Sequence, residues 1–155
     1  MDKFDNMEDY TFIFGTLFVV ANKMDTLLEK ELKEYDVTSK QWLLSAVLDS
    51  LFDYPPTIKE AAREMGSSHQ NVKQLALKLE QKGLLALEKD KKDARATRLR
   101  LTEESLSLWS NAESKGIKFI QNIFKDIDKE EISKVRKVLE KIQFNLDQLE
   151  KADID

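Results

Sequence analysis

The sequence predicts a mainly α-helical chain interrupted once by a small β-hairpin. Three observations predict it. From Met7 to Leu149, apolar residues recur every three or four positions in a series of runs, the period of helices with one buried face. Two of these runs open on Thr38-Ser39-Lys40-Gln41 and Thr57-Ile58-Lys59-Glu60, capping boxes in which the Thr hydroxyl and the Gln or Glu side chain satisfy free amides at a helix start. Between Leu84 and Leu101 the apolar period changes to two, which marks strands.

From about Met7 to Glu34, Ile13, Leu17, Val20, Met24, Leu28 and Leu32 keep helical spacing, while Phe12, Phe14 and Phe18 add apolar surface on other faces. A helix apolar over so wide an arc needs burial from two sides. It is either the core helix of a monomer or packed against a partner subunit, and the remaining elements offer little surface for the first. The next helix runs from the Thr38 cap through Trp42, Leu43, Ala46, Val47 and Leu51, and Phe52-Asp53-Tyr54-Pro55-Pro56 ends it, because paired prolines favour an extended link.

The stretch 57–102 is the most informative. Ile58, Ala61, Ala62 and Met65 give a short helix, and Gly66 stands where a left-handed stop costs least. Ser67 or Ser68 caps a second helix with Val72, Leu75, Ala76 and Leu79 on one stripe, and Gly83 ends it. Two helices joined by a tight Gly-containing turn are a helix-turn-helix, which presents its second helix to a DNA major groove. Leu84, Leu85 and Leu87 then begin one strand, and Thr97, Leu99 and Leu101 alternate with Arg98 and Arg100 in another. The charged segment Glu88–Ala96 reads as the hairpin tip. A helix-turn-helix followed at once by such a hairpin is a winged helix.

After the hairpin, Thr102-Glu103-Glu104 starts a helix to about residue 126, with acids where the dipole favours them. Gly116 lies inside it, at a bend or a close crossing. Asp128-Lys129-Glu130-Glu131 caps a last helix along Ile132, Val135, Val138, Leu139, Ile142, Leu146 and Leu149. The first and last helices lie outside the winged helix, and their simplest use is to pack together across a two-fold axis as a homodimer.

At 155 residues the chain is one domain, or one lobe with an oligomerisation arm. There is no cysteine and one histidine, so disulfides and thiol redox sensing are excluded, and a zinc site is not expected. Met1–Asp5 lacks the pattern of a signal peptide. No uninterrupted apolar run approaches the roughly 18–20 residues of a membrane span, so the expectation is a soluble, cytoplasmic protein without a membrane partner. The net charge of −4 hides an asymmetry: residues 57–102 carry 11 Lys and Arg against 6 Asp and Glu, while the rest carries 14 against 23. A basic head on an acidic frame suits phosphate attraction, which depends on local charge.

On the second helix of the motif, His69, Gln70, Asn71, Lys73 and Gln74 point away from the apolar stripe. Gln and Asn bond an adenine edge, His donates to guanine, and Lys reaches guanine or phosphate; Ser68 at the positive helix end is placed to meet a phosphate. The alternative is an ordinary solvated face. Arg95 at the wing, with Lys89, Lys91 and Lys92 beside it, suits insertion into a narrow, negative minor groove; the alternative is a solvated charge run. Arg98 and Arg100 are expected on the outer side of their strand, making phosphate contacts at most. Neither a nucleophile elbow, a phosphate-binding glycine loop nor a metal-ligand cluster is present, so no catalytic residue, cofactor or metal is assigned.

Several of these residues together resemble the MarR family of bacterial transcriptional regulators: Thr38-Ser39-Lys40-Gln41-Trp42, Ala61-Ala62-Arg63-Glu64-Met65-Gly66, Leu79-Glu80-Gln81-Lys82-Gly83-Leu84, and above all Asp93-Ala94-Arg95 followed by Leu99-Arg100-Leu101-Thr102. The order holds along nearly the whole chain. Ser67, usually apolar in the family, and Ala94, often charged there, depart from the pattern. The resemblance implies a repressor of double-stranded DNA targets with dimerising first and last helices (1–36 and 103–155) around a reading head (37–102). Two heads would meet half-sites roughly 34 Å apart on a pseudo-palindrome. It further implies that Asp93 positions Arg95 and that a small aromatic effector releases DNA; Phe14, Phe18, Trp42 and Trp109 are candidates to line its pocket, or else plain core. The competing functions are a winged-helix protein-interaction module and a non-specific, architectural DNA binder.

Overall fold

The structure is a computed structural model that describes residues 7–153; the signal-peptide reading of Met1–Asp5 lies outside them. The elements are α1 (Met7–Leu32), a 3-10 turn (Lys33–Tyr35), α2 (Ser39–Leu51), α3 (Ile58–Met65), α4 (His69–Gln81), β1 (Leu85–Lys89), β2 (Thr97–Leu101), α5 (Glu103–Ile123) and α6 (Lys129–Ala152). This is the mainly α class with a hairpin wing that the sequence predicts. The chain divides into two compact units, one ending at Asn111 and one beginning at Ala112, and α5 crosses the boundary.

In the first unit one apolar cluster joins the helix-turn-helix to the hairpin. Leu44 of α2, Ala61 of α3 and Val72, Ala76 and Leu79 of α4 have no exposed surface, and Leu99 of β2 is 1% exposed. The hairpin pairs Leu85 with Leu101 and Leu87 with Leu99. Alternate residues share a face, so all four leucines turn to the cluster. A bridge between Thr57 and Arg98, with Leu99 N–H donating to Pro56 O at 2.8 Å, adds a third short strand segment and anchors the hairpin beside α3.

The helix ends obey the capping chemistry read from the sequence. Thr57, Thr38 and Asp128 each close a reciprocal capping box, with Glu60, Gln41 and Glu131 respectively. Thr102 caps α5 by accepting from Ser105 N–H at 3.2 Å. Both helices of the motif end on a left-handed glycine, Gly66 at φ 59° and Gly83 at φ 74°. After each, the next amide bonds back over five residues: Ser67 N–H to Ala62 O and Leu84 N–H to Leu79 O, both at 2.9 Å. These bonds satisfy carbonyls that the helix cannot.

Four expectations change. The first helix stops at Leu32 rather than Glu34, because the chain tightens into a 3-10 turn and reverses at Asp36, left-handed at φ 53°. Helix α5 stops at Ile123 rather than near 126, ahead of another left-handed aspartate, Asp126. Asp adopts this conformation more readily than most side chains, so no glycine marks either stop. The hairpin tip is 90–96, because Glu88 and Lys89 are paired with Arg98 and Thr97. Finally, Glu8–Tyr35 is long and apolar enough to cross a membrane by length and composition. Lys23 and Asp25 break the run in sequence without lowering its average below that of a span. Asp25 and Glu29 nevertheless bind Ser39, at the start of α2, which ties this helix to the folded head.

The second unit holds the last part of α5 and α6, none of whose side chains is buried. Its polar face carries i,i+4 ion pairs, Glu130 with Lys134 and Arg136 with Glu140. Gly116 interrupts nothing: α5 is continuous and a Cβ there would meet open space.

Two stability predictions follow from this packing. Leu79→Ala should lower the unfolding free energy by about 2–5 kcal/mol, since it opens a cavity in a fully buried site. Gly83→Ala should cost roughly 1–2 kcal/mol, from backbone strain alone, because a Cβ there meets nothing within 4 Å. Denaturant titration measures both.

Acid sensitivity tests the α3 cap. The Thr57 amide, ahead of the other contacts, holds the Glu60 carboxyl below its ordinary value of 4.5. A depressed carboxyl stabilises the fold fully above its unfolded value and loses that contribution as pH falls through its folded one. Glu60→Gln should therefore flatten the fall in stability below about pH 4.5, read from melting temperatures across pH.

Candidate nucleic-acid interface

Burial of Val72, Ala76 and Leu79 decides which way α4 faces. At 100° per residue, Gln70 and Gln74 fall opposite that stripe, Asn71 and Lys78 fall on one flank, and Lys73 falls on the other, with His69 nearer the stripe. All of Ser68, His69, Gln70, Asn71, Lys73 and Gln74 are exposed. Ser68 is the cap: its hydroxyl accepts from Asn71 N–H at 3.1 Å, leaving the oxygen a second lone pair and its own proton. The exposed face thus has amide, imidazole and ammonium groups at the amino-terminal half of a helix whose other face is locked.

Asn71 and Gln74 also border a groove of about 360 Å³ lined by Leu43, Met65, Leu75, Lys40 and Lys78. Lys40 and Lys78 were not singled out from sequence. Lys78 could have been, since it stands four residues after Gln74 and seven after Asn71. Lys40 could not, because only the packing of α2 against the motif brings it there.

The wing is built by its aspartates. Asp90 Oδ2 accepts from Asp93 N–H at 3.1 Å, and Asp93 Oδ1 accepts from Arg95 N–H at 3.0 Å. Asp90 N–H donates to Ala96 O and Ala96 N–H to Asp93 O, both at 3.0 Å. The bond from Asp93 reaches the backbone of Arg95, so it shapes the turn on which the guanidinium is carried. Lys91, Lys92, Asp93 and Arg95 are all exposed, and among the described residues none of these three cations forms an ion pair.

Arg98 differs from expectation. Its Nε pairs with Asp90 Oδ1 at 2.7 Å and a terminal nitrogen donates to Pro55 O at 2.7 Å. The hydrogen bond from Arg98 is the main reason the Asp90 carboxyl lies below its ordinary value. Arg98 is thereby a tie between the wing and the link ahead of α3. Arg100 stays outside and pairs with Glu88 at 2.8 Å, both half exposed, a contact worth little in water. The acids of the wing engage its backbone and Arg98, and Lys91, Lys92 and Arg95 remain available at the tip.

The four aromatic residues named for an effector pocket separate into two pairs. Phe14 and Phe18 are 67% and 61% exposed on α1, edge to face at 5.3 Å. Trp42 and Trp109 are partly buried against the core. A groove of about 570 Å³ nearby is lined by Tyr35, Glu103, Glu104, Ser107, Leu108 and Asn111, and by none of the four. Among the described residues no three His, Cys, Asp or Glu side chains are grouped to hold a metal.

Residues 35–96 match the model of the MarR family. Among solved structures, a MarR/EmrR family transcriptional regulator from Acinetobacter sp. ADP1 is similar with a TM-score of 0.78 at 19% identity, over 92% of this chain and 99% of that one. A MarR protein from Peptoclostridium difficile gives 0.77 at 20% identity, over 88% of each chain. CouR from Rhodococcus jostii RHA1, solved bound to p-coumaroyl-CoA, gives 0.74 at 20% identity, over 85% of this chain and 91% of that one. At such identities the structures speak for fold, and the family match covers α2, the helix-turn-helix, β1 and the hairpin tip, ending before β2. The chain thus shares its fold with these structures over most of its length, and its residues 35–96 are similar to the MarR family pattern.

Proposed function

We propose that the chain is a homodimeric, sequence-specific repressor that places α4 in the major groove and the wing in the minor groove of a pseudo-palindromic operator. One observation carries this reading: an exposed face of Gln70, Asn71, Lys73 and Gln74 stands on a helix locked from behind, beside a wing tip whose Lys91, Lys92 and Arg95 are exposed. Gln and Asn bond adenine bidentately, and a free guanidinium suits the minor-groove floor. Ser68 and the tip lysines then serve as phosphate contacts that set register. DNA as the partner implies the cytoplasm.

The dimer reading rests on exposed apolar surface. Tyr10, Phe12, Ile13, Phe14, Phe18 and Val19 of α1 are each about half exposed or more, as are Val135, Val138, Phe144, Leu146 and Leu149 of α6. Patches of this extent on a single chain indicate association, and a two-fold dimer covers the same patch on both copies. An effector is supported more narrowly. The Trp109 indole N–H and the Ser105 hydroxyl are buried without a hydrogen-bond partner among the described residues, and such donors are costly unless satisfied. A carboxylate, carbonyl or phenolate oxygen of an aromatic ligand is the chemistry that would satisfy them. CouR, which binds an aromatic acyl thioester, offers a precedent.

Selection from a pool of random duplexes at two salt concentrations tests the main reading. Wild type should enrich a palindromic site, lose affinity steeply with salt as counterions are released, and bind about tenfold or more weakly as Arg95→Ala, as expected for loss of a base or minor-groove contact. Binding without enrichment would indicate an architectural role, and no binding at low salt a protein-interaction module. Sedimentation of the wild type should give twice the chain mass, and the double substitution Phe14→Glu with Phe18→Glu should shift it to the monomer.

A further inference from the structure

We propose that Lys82 is a positioning residue for DNA reading, the pin that holds the carboxyl-terminal end of α4 to the connector between α1 and α2; the proposal rests on α4 being the reading helix. Lys82 caps α4 ahead of Gly83, and its ammonium reaches 46 residues back in sequence. There it donates to the main-chain carbonyl of Asp36 and to Gln41 Oε1 at 3.3 Å, with the Asp36 carboxylate at 3.7 Å. The receiving site is rigid. Gln41 is 3% exposed and its Oε1 also accepts from Thr38 N–H at 3.2 Å, while Asp36 is fixed left-handed at φ 53° beside buried Val37.

The rest of α4 is held differently. Val72, Ala76 and Leu79 are buried by contacts without direction, and among the described residues the one directional tie beyond the helix's own caps and turns is the Leu87 N–H bond to Glu80 Oε2 at 3.2 Å, on the β1 side. The Lys82 bonds are directional, so they set the rotation and axial register with which Gln70, Asn71, Lys73 and Gln74 meet base edges. Ordering a lysine also costs side-chain entropy, which three acceptors on a fixed segment offset. The same segment is bound from the other side: Glu29 of α1 accepts from Ser39 N–H at 2.6 Å, and Asp25 accepts from the Ser39 hydroxyl. A chain of side-chain bonds therefore runs from α1, through 36–41, to the end of the reading helix, and a shift of α1 is carried to α4 through Lys82.

The test compares wild type, Lys82→Met and Lys82→Arg on the duplex enriched from the random pool and on a scrambled duplex, across a salt series. Lys82→Met should bind the enriched site about tenfold more weakly, bind the scrambled duplex nearly as wild type does, and keep the wild-type salt slope. Lys82→Arg, which can still reach both oxygens, should restore most of the affinity. Equal loss on both duplexes with a slope reduced by about 1 would make Lys82 a phosphate contact and overturn the proposal, as would unchanged affinity. Amide hydrogen exchange supplies a readout without DNA: Asp36, Thr38 and Gly83 should exchange faster in Lys82→Met, and unchanged protection there overturns the pin. If the wild type enriches no site, the regulator reading fails, and the exchange result still decides whether Lys82 holds the helix.

Discussion

The structure depends on burying one stripe of α4. Val72, Ala76 and Leu79 have no exposed surface, and what covers them comes from α2, α3 and the hairpin together. At about 25 cal/mol per Å² of apolar surface, that burial is the main term stabilising the first unit. It also has a functional consequence with no further ingredient. A helix with one face locked must present the opposite face to water, and that face holds Gln70 and Gln74, with Asn71 and Lys73 exposed on its flanks. Leu44, Ile58 and Leu99 fill the space over the stripe, and the small side chains of Ala61, Ala62 and Ala76 leave room for them.

Electrostatics in the wing are local for a similar reason. A chain with a net charge of −4 can present a positive tip because its nearby acids are engaged. Asp90 binds Arg98 and a backbone amide, and Asp93 binds the amide of Arg95. These carboxylates shape the turn instead of opposing the lysines at its tip. Arg98, the guanidinium bound internally, joins the hairpin to the proline link through Pro55. The wing is thus braced at its base and open at its tip.

The first helix is held by polar bonds more than by packing. Its amino-terminal half is apolar on several faces and exposed in the single chain, whereas Asp25 and Glu29 fasten its other half to the start of α2. Negative groups at a helix amino-terminus are favoured by the dipole and by free amides. That division explains how one segment can match a membrane span in composition yet be fastened to a folded head.

How much was legible in the sequence follows from the range of each interaction. Caps at Thr38, Thr57 and Asp128, stops at Gly66 and Gly83, and the alternation of Leu85, Leu87, Leu99 and Leu101 are settled within a few residues, so spacing alone determined the helix-turn-helix, the hairpin and the exposed set from Ser68 to Gln74. Stops at Asp36 and Asp126 were illegible because aspartate signals a left-handed turn only weakly. The partners of Arg98, the Ser39 bonds from α1 and the reach of Lys82 to Asp36 join residues between 8 and 46 positions apart. Each links charged or polar side chains that read equally well as solvated surface. Periodicity along the chain determines which face of an element is buried; which charged group meets which across elements is decided only when packing brings them within hydrogen-bonding distance.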